Sequence, residues 1–270
     1  MNRQAASGAF RTAAGDLLRL LRFYARLPLP ALPFEVDPHA LPDFSRGLHL
    51  LPLAGALIGG IGAAAFALAA MLNLGPVIAA IVAIAILVIV TGAFHEDGLA
   101  DCADGFWGGA TRERRLEIMK DSRIGSFGGA ALVLSLMLRA AALAILAERG
   151  DIGVACAALI SVAAFSRVCG LLPLTLLTPA RADGAGASAL RPSLPNVVVA
   201  LLVAGALAGL LALAGGLPLL ALPAMAAGLL GAGVVTAIAQ VKIGGQTGDV
   251  AGAAQQLAEI GFLLALVAGL

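Results

Sequence analysis

The sequence predicts an all-α integral membrane protein: a polytopic helix bundle of about seven transmembrane helices with an interfacial helix at its N-terminus. Hydrophobic residues make up 60% of the 270 residues and charged residues only 12%, whereas a soluble domain carries about a quarter charged residues. The apolar residues also form runs close to the ~20 residues that a helix needs to cross a bilayer. We therefore treat residues 1–270 as a single membrane domain.

Seven apolar runs are candidate transmembrane helices. They lie at residues 51–73, 76–94, 129–147, 152–178, 196–214, 217–240 and 257–270. The last run is short and the fourth is long, so six or eight spans are also compatible with the sequence. Glycines inside the runs, as in "GALIGGIGAAA", are expected to let neighbouring helices pack closely.

The N-terminal segment, residues 1–50, is predicted to contain a helix that lies along the membrane surface. In "DLLRLLRFYARLPLP" (Asp16–Pro30), arginines recur every three or four positions between leucines. This pattern is typical of an amphipathic helix in the interface. The prolines of the following "LPLPALP" are expected to end it, because proline cannot continue a helix.

The distribution of basic residues predicts the orientation in the membrane. With the N-terminus inside, 14 of the 17 lysines and arginines fall on one side, Arg139 and Arg167 fall within spans, and Arg149 alone lies opposite. Lysine and arginine cluster on the cytoplasmic side of membrane proteins. Residues 1–50 and the polar segments 95–128 and 241–256 are therefore predicted to be cytoplasmic. The net charge of +1 offers no basic surface for a nucleic acid.

The segment "HEDGLADCADGFWGG" (His95–Gly109) concentrates acidic residues directly after the second apolar run. If it continues that run as a helix, Asp97, Asp101 and Asp104 fall within an arc of about 60°, and Glu96 points elsewhere. Like charges on one stripe repel each other. The stripe therefore indicates a divalent cation, and oxygen-only ligands favour Mg²⁺ or Mn²⁺.

Basic residues follow the acidic stripe in "TRERRLEIMKDSRIGSFGG" (Thr111–Gly129). Arg112, Lys120 and Arg123 are candidate substrate-binding residues, because arginine forks pair with phosphate in a bidentate way. Anchoring of the cytoplasmic face is the alternative role for such residues.

A second polar motif, "KIGGQTGDVAGAAQQLAE" (Lys242–Glu259), precedes the last apolar run. The backbone of its glycine turn, with Gly245, Thr247 and Gly248, is a candidate cradle for a phosphate. Asp249 is either a further metal ligand or a helix N-cap.

For other residues of these motifs, the sequence indicates a role less specifically. His95 is a candidate general base, with an ordinary interfacial role as the alternative. Phe106 and Trp107 are candidate interfacial anchors. Cys102 points off the predicted metal face and is expected to be apolar filler, and none of the three cysteines is expected to form a disulfide.

Several motifs together resemble the adenosylcobinamide-GDP ribazoletransferase family, also called cobalamin synthases. They are "FHEDGLADCADGFWGG", "EIMKDSRIGSFGG", "ARADG" and "GGQTGDVAGAAQQLAE", with "FYARLPLP" and "LHLLPLAGALIGG" nearer the start. The resemblance covers about residues 20 to 260 in the same order, and the combination is far more specific than a lone Asp-x-x-Asp-Gly.

The resemblance implies a multi-span enzyme of the bacterial cytoplasmic (inner) membrane that requires Mg²⁺. Such enzymes join adenosylcobinamide-GDP to α-ribazole or α-ribazole 5′-phosphate, which gives adenosylcobalamin or its phosphate and releases GMP. The implied partners are these substrates, the lipid bilayer and other cobalamin-assembly enzymes. Phosphoryl transfer of this kind depends mostly on positioning and on neutralisation of charge.

The predicted roles follow from joining this chemistry to the motifs. Asp97, Asp101, Asp104 and Asp249 would hold Mg²⁺ on the pyrophosphate, and one of the first three, or His95, would accept a proton from the attacking ribose hydroxyl. The candidate basic residues and the glycine turn would bind the phosphates, and the resemblance makes Phe106 and Trp107 candidate contacts for the corrin.

The sequence leaves two alternatives, of which the first is a neighbouring enzyme with like chemistry and the second belongs to a different class of protein. A CDP-alcohol phosphotransferase shares the opening Asp101-x-x-Asp104-Gly105, but Gly108 and Gly109 stand where that pattern has Ala-Arg, and its later aspartate pair is absent. A cation-coupled transporter would use broken helices with acids at mid-membrane, whereas the acids here cluster near one predicted face.

Overall fold

The computed structural model describes residues 3–35, 37–38, 40–181, 191–215 and 217–270, and for residues 3–10 it describes the backbone only. Within these residues the protein is helical, apart from connecting segments and one parallel β-bridge between Pro179 and Gln246. The α-helices are α1 (Arg3–Tyr24), α2 (Leu51–Met71), α3 (Gly75–Thr91), α4 (Phe94–Gly108), α5 (Arg112–Ile118), α6 (Ser126–Arg149), α7 (Ile152–Cys169), α8 (Leu172–Leu176), α9 (Leu194–Ala214), α10 (Ala221–Ile243) and α11 (Gly248–Gly269). Short 3-10 turns at Leu48–Leu50 and Pro218–Leu220 lead into α2 and α10.

The prediction of a polytopic helical bundle is confirmed. Six described segments are long and apolar enough to cross a bilayer, and the bent pair α3 and α4 makes a seventh if it counts as one span. The six are Leu48–Met71, Ser126–Arg149, Ile152–Leu176, Leu194–Ala214, Pro218–Ile243 and Gly248–Gly269. All seven predicted spans therefore correspond to helices, with boundaries that shift by a few residues at most sites.

The sequence predicted that the acidic segment continues the second span as one helix, and this prediction is wrong. The chain turns by 90° between α3 and α4. Gly92 and Ala93 form the break, and both have left-handed backbone conformations with φ of 66° and 56°. This conformation costs an alanine about 1–2 kcal/mol. The segment after α1 covers the break, since the Arg26 backbone N–H donates to the Val90 carbonyl at 2.6 Å.

The second motif loop is also much shorter than the predicted 241–256. Helix α10 extends to Ile243, and α11 already begins at Gly248. Gly244 ends α10 in the left-handed conformation, with φ of 69°, and the Thr247 hydroxyl caps α11 by accepting the Val250 N–H at 3.3 Å. The glycines at 248 and 252 therefore lie in a helix rather than in a turn, and a Cβ on Gly252 would lie 3.3 Å from the His95 carbonyl oxygen, whereas one on Gly248 would meet open space.

Small residues bring the helices close together, as the glycine-rich runs predict. A Cβ on Gly59 of α2 would lie 2.7 Å from the Leu159 carbonyl oxygen of α7. A Cβ on Gly98 of α4 would lie 2.7 Å from the Asp249 carbonyl oxygen of α11. Such backbone approach is the usual device of helix packing in membranes, and at Gly98 it brings the two acidic motifs together.

The N-terminal helix packs its last turns against the bundle. Leu20, Leu21 and Tyr24 are buried, and α1 ends at Tyr24, before the prolines that were predicted to stop it. Arg22 then holds the following segment by an ion pair of 2.7 Å with Glu35. This hydrogen-bonded partner lowers the pKa of the Glu35 carboxyl below its usual value.

A buried ion triad ties α4, α6 and α11 together inside the bundle. Arg139 of α6 contacts Glu96 of α4 at 2.9 Å and Glu259 of α11 at 3.2 Å. The side chain of Arg139 is only 2% exposed, and those of the glutamates are 8% and 7% exposed. The triad explains why α4 carries Glu96 off the acidic stripe and why a glutamate lies within the last span.

Amide and hydroxyl groups complete this polar layer. The Gln255 side-chain amide donates to Glu259 at 2.7 Å and to the Ser166 hydroxyl at 2.8 Å. The Gln256 amide donates to Glu96 at 3.2 Å, and its carbonyl oxygen accepts from the Ser135 hydroxyl at 2.9 Å. Buried charges are tolerated only when they are paired and hydrogen-bonded, and most of the polar groups in this layer meet that condition.

The triad predicts that Arg139→Met strongly destabilises the protein, because it leaves two buried carboxylates without their cation. Removing one partner of a buried ion pair costs about 3–5 kcal/mol. The measurement is the Tm of the purified protein in detergent. Arg149→Met is the matched control, since Arg149 lies exposed at the end of the same helix. Equal losses of Tm in the two variants would contradict a stabilising role for the triad.

Candidate functional site

A cavity of about 260 Å³ lies where the polar motifs of the chain meet. It is bounded by the end of α1, the start of α4, the end of α7, the segment after α8 and the start of α11. Two acids (Asp97, Asp249), two arginines (Arg167, Arg181), several amide and hydroxyl groups and an aromatic wall line it. Charged, polar and aromatic groups in one cleft are typical of a ligand site.

The predicted acidic stripe of α4 divides into three parts. Asp97 lines the cavity. Asp101 lies one turn further along α4, partly buried, and the negative charges of Asp249, Asp97 and Asp104 all act on it. Asp104, a further turn along, is buried and does not line the cavity. The acids that line the cavity are therefore Asp97 and Asp249, and Asp101 lies close enough to both to interact with their charges.

Asp104 caps helix α6. Its two carboxylate oxygens accept the backbone N–H groups of Gly125 at 2.7 Å and Gly128 at 2.8 Å. A carboxylate at a helix N-terminus satisfies free N–H groups and complements the helix dipole. A Cβ at Gly125 or Gly128 would overlap this carboxylate. The glycines of the motif "DSRIGSFGG" therefore leave the space that the Asp104 carboxylate occupies. The contacts of Asp104 are those of a positioning residue, which holds α4 against the start of α6.

Asp249 is not the N-cap of α11, which was one of its two predicted roles, because Thr247 holds that position. The Asp249 carboxylate instead accepts the Thr247 hydroxyl at 3.1 Å and an Arg181 N–H at 3.2 Å. It therefore lies at the cavity with its charge partly balanced by one arginine.

Only part of the glycine turn that was predicted to bind a phosphate faces the cavity. Thr247 and Gly248 line the cavity, whereas Gly245 does not. The backbone around Gly245 is paired with the segment after α8: the Gln246 N–H donates to the Thr178 carbonyl at 2.9 Å, and the Ala180 N–H donates to the Gln246 carbonyl at 2.9 Å. A Cβ on Gly245 would overlap the Thr178 carbonyl, so this glycine allows the pairing that places Arg181.

An aromatic wall closes one side of the cavity. Phe23 and Tyr24 of α1 and Phe94 of α4 line it together with Phe44. The buried His95 ring stacks on Tyr24, with centroids 5.7 Å apart and an interplanar angle of 17°. His95 thus lies at the cavity, as a general base would require, in an orientation fixed by ring packing.

The predicted substrate-binding basic residues do not line the cavity. Arg112 donates to the backbone carbonyls of Ile243 at 2.7 Å and Ala180 at 2.5 Å, and so holds α5 against the neighbouring segments. Arg123 is exposed and pairs with Asp121, and these hydrogen bonds lower the pKa of the Asp121 carboxyl to about 2. Lys120 is exposed. Their predicted role in substrate binding remains a prediction without support from the geometry.

The arginines that do line the cavity are Arg167 and Arg181, which the sequence analysis did not select. Both have a feature in the sequence from which their role could have been predicted. Arg167 is a charge within an apolar span, which is costly and usually functional. Arg181 belongs to "ARADG", one of the motifs that carry the family resemblance.

Three other predicted residues lie away from the cavity. Phe106 is buried in the core, and Trp107 is half-exposed with the Lys242 ammonium 5.2 Å from its ring centroid. Cys102 is buried among apolar groups, as expected for filler. All three cysteines are free.

The acids at the cavity fit a cation that a ligand helps to hold. In the part of the chain that the structure describes, no group of three or more histidine, cysteine or acidic side chains is arranged to hold a metal ion by itself. Mg²⁺ is usually bound by one or two carboxylates together with substrate phosphates. One or two of the carboxylates of Asp97, Asp101 and Asp249, with phosphate oxygens of a ligand, would suit that arrangement.

Comparisons with known proteins give a consistent result. The family model described as cobalamin-5-phosphate synthase matches residues 16–267. The chain is 49% identical to the adenosylcobinamide-GDP ribazoletransferase of Azorhizobium caulinodans, over 93% of this chain and 95% of the relative. It is 47% identical to the protein of the same name from Xanthobacter autotrophicus, over 94% and 96% of the two chains. No solved structure matches the chain.

The Asp104 cap predicts different effects for two adjacent glycines. Gly128→Ala should lower Tm by several degrees, because its methyl group displaces a hydrogen-bonded carboxylate, and overpacking of this kind costs about 1–3 kcal/mol. Gly129→Ala is the matched control, since the nearest atom to its Cβ is 3.8 Å away. Thermal unfolding of both variants measures the difference. A Tm for Gly128→Ala as high as that of Gly129→Ala would contradict the cap.

Proposed function

The chain belongs to the cobalamin-5-phosphate synthase family, and from this premise we propose that it is an adenosylcobinamide-GDP ribazoletransferase. It transfers the adenosylcobinamide phosphate moiety of adenosylcobinamide-GDP to α-ribazole or α-ribazole 5′-phosphate. The products are adenosylcobalamin or its 5′-phosphate and GMP. The observation that carries this proposal is the cavity, which combines acids for a cation, arginines for phosphates and an aromatic wall for a base.

The proposed reaction is a phosphoryl transfer. A ribose hydroxyl oxygen of the ribazole attacks the phosphorus next to the cobinamide, a new P–O bond forms, and the P–O bond to GMP breaks. His95 or Asp97 accepts the hydroxyl proton, since both line the cavity. The aromatic wall, with Tyr24 and Phe94, stacks against the aromatic base of the ribazole and orients its sugar.

Mg²⁺ is the proposed cofactor, and one or two of the carboxylates of Asp97, Asp101 and Asp249 would hold it together with the pyrophosphate of the substrate. When bound, it neutralises charge on the pyrophosphate and on the leaving phosphate. Asp104 is omitted from this ligand set because both of its oxygens accept backbone N–H groups of α6.

The alternatives from the sequence analysis gain no support. The family match extends over residues 16–267, which favours neither a CDP-alcohol phosphotransferase nor a transporter. The broken pair α3 and α4 resembles a transporter feature, but its acids serve the ion triad, the α6 cap and the cavity.

We expect purified protein in nanodiscs to release GMP from adenosylcobinamide-GDP in step with corrinoid product, and EDTA to abolish this release until Mg²⁺ is restored. Asp97→Asn should lower kcat by about 10²–10³-fold, as for loss of a group that stabilises transition-state charge. Glu117→Gln, in an exposed pair on α5, is the control and should retain activity. Near-normal turnover by a folded Asp97→Asn variant would refute the metal assignment.

The cavity is proposed to open to the cytoplasm of a bacterial inner membrane, with the N-terminus on the same side. In the predicted topology, the segments on the side of the polar motifs that line the cavity carry 14 of the 17 basic residues, and basic residues mark the cytoplasmic face.

Cysteine labelling tests this orientation at the two ends of α6. Ser122→Cys lies just before the helix and Glu148→Cys at its far end, and both positions are exposed. In intact spheroplasts, a membrane-impermeant maleimide should label Glu148→Cys, and it should reach Ser122→Cys only after permeabilisation. The parent protein with its own three cysteines is the background control. The reverse pattern would overturn the orientation.

A further inference from the structure

Two arginines line the cavity, and each has a buried hydrogen-bond donor for which the described residues offer no acceptor. Arg167 lies at the end of α7 and is 4% exposed. The side chain of Arg181, in the segment after α8, is 20% exposed. They come from different parts of the chain, and both face the cavity that also holds Asp97 and Asp249.

Arg167 is buried, yet part of its guanidinium forms no hydrogen bond to the described residues. Its Nη1 group donates to the Ala163 carbonyl of its own helix at 2.8 Å. Its Nε–H is buried and has no partner among the described residues, and no carboxylate there contacts the guanidinium. Leaving a buried donor of a charged group unsatisfied is costly. A ligand with several acceptor oxygens would remove that cost.

Arg181 also has a buried donor group without a hydrogen-bond acceptor among the described residues. Its Nη2 group pairs with Asp249 at 3.2 Å, whereas its Nη1 group is buried and lacks a partner in the described chain. The cavity therefore holds two guanidinium groups that are each incompletely bonded.

The ion triad lies beside Arg167, although neither of its glutamates forms an ion pair with the Arg167 guanidinium. Glu96, Arg139, Glu259 and Arg167 line one small cavity inside the bundle. The triad carries one formal negative charge in excess, which attracts the nearby Arg167 cation. The triad thus balances the Arg167 charge from a distance, and the N–H groups stay available to the cavity. This arrangement suits an anion that arrives and leaves in each turnover.

We propose that Arg167 and Arg181 are the phosphate-binding residues of this cavity and hold the pyrophosphate of the nucleotide substrate between them. Arg167 binds it from inside the bundle and Arg181 from the loop side, beside the acids that hold the cation. Planar guanidinium forks match phosphate oxygens in a bidentate way. The identity of the substrate rests on the proposed function, whereas the anion site itself does not.

Binding of inorganic pyrophosphate with Mg²⁺, measured by titration calorimetry on the full chain in nanodiscs, tests the proposal without any turnover. Arg167→Met and Arg181→Met should each weaken binding about 10–100-fold, as expected for loss of hydrogen bonds to a charged group. Arg167→Lys should recover only part of the affinity, because it restores the charge without the fork. Arg149→Met, at the far end of the bundle, should bind like the parent protein.

The outcomes separate this inference from the proposed function. Undetectable pyrophosphate binding by the parent protein, or parental affinity in both folded methionine variants, overturns the inference. If Arg167→Met fails to fold, Arg181→Met decides, because Arg181 lies in a connecting segment outside the helices. Loss of binding in the variants together with no GMP release by the parent protein supports the anion site and refutes the proposed reaction.

Discussion

The ion triad of Glu96, Arg139 and Glu259 is the constraint on which the site depends. Charges inside a membrane bundle must be paired, so Arg139 draws the start of α4 towards the middle of α6 and α11. The other end of α4 is held by Asp104 at the α6 N-terminus. With both ends fixed, the residues between them have one possible orientation, and Asp97 faces the cavity.

Backbone contact between α4 and α11 then brings the two acidic motifs together. Gly98 lies against the backbone of Asp249, and Gly252 lies against that of His95. A Cβ on Gly98 would lie 2.7 Å from the Asp249 carbonyl oxygen, so a side chain there would push the helices apart and move Asp97 and Asp101 away from Asp249. The glycines of both motifs therefore act mainly through helix packing, and the pairing of the segment after α8 with the α10–α11 turn adds Arg181 to the same place.

The cavity combines opposite charges in a way that suits phosphoryl transfer. Asp97, Asp249, Arg167 and Arg181 all line it; in the proposed function the acids are oxygen ligands for the cation and the arginines are donors for phosphate. Only a bound phosphate with its cation would satisfy both sets at once, because the acids repel one another and the arginines keep unused donors. The aromatic side of the cavity carries no charge and leaves room for the base of the acceptor.

The sequence by itself determined the membrane bundle, the family and the residues of the two acidic motifs, because hydropathy, helical spacing and motif order are local properties of the chain. It also identified Asp97, Asp249, His95, Thr247 and Gly248, all of which line the cavity. Only the tertiary structure decided that Asp104 is a helix cap and that Arg167 and Arg181, rather than Arg112 or Arg123, face the acids. The physical reason is the 90° break at Gly92 and Ala93: helical spacing fixes which residues share a stripe, but the direction of the stripe depends on partners distant in sequence.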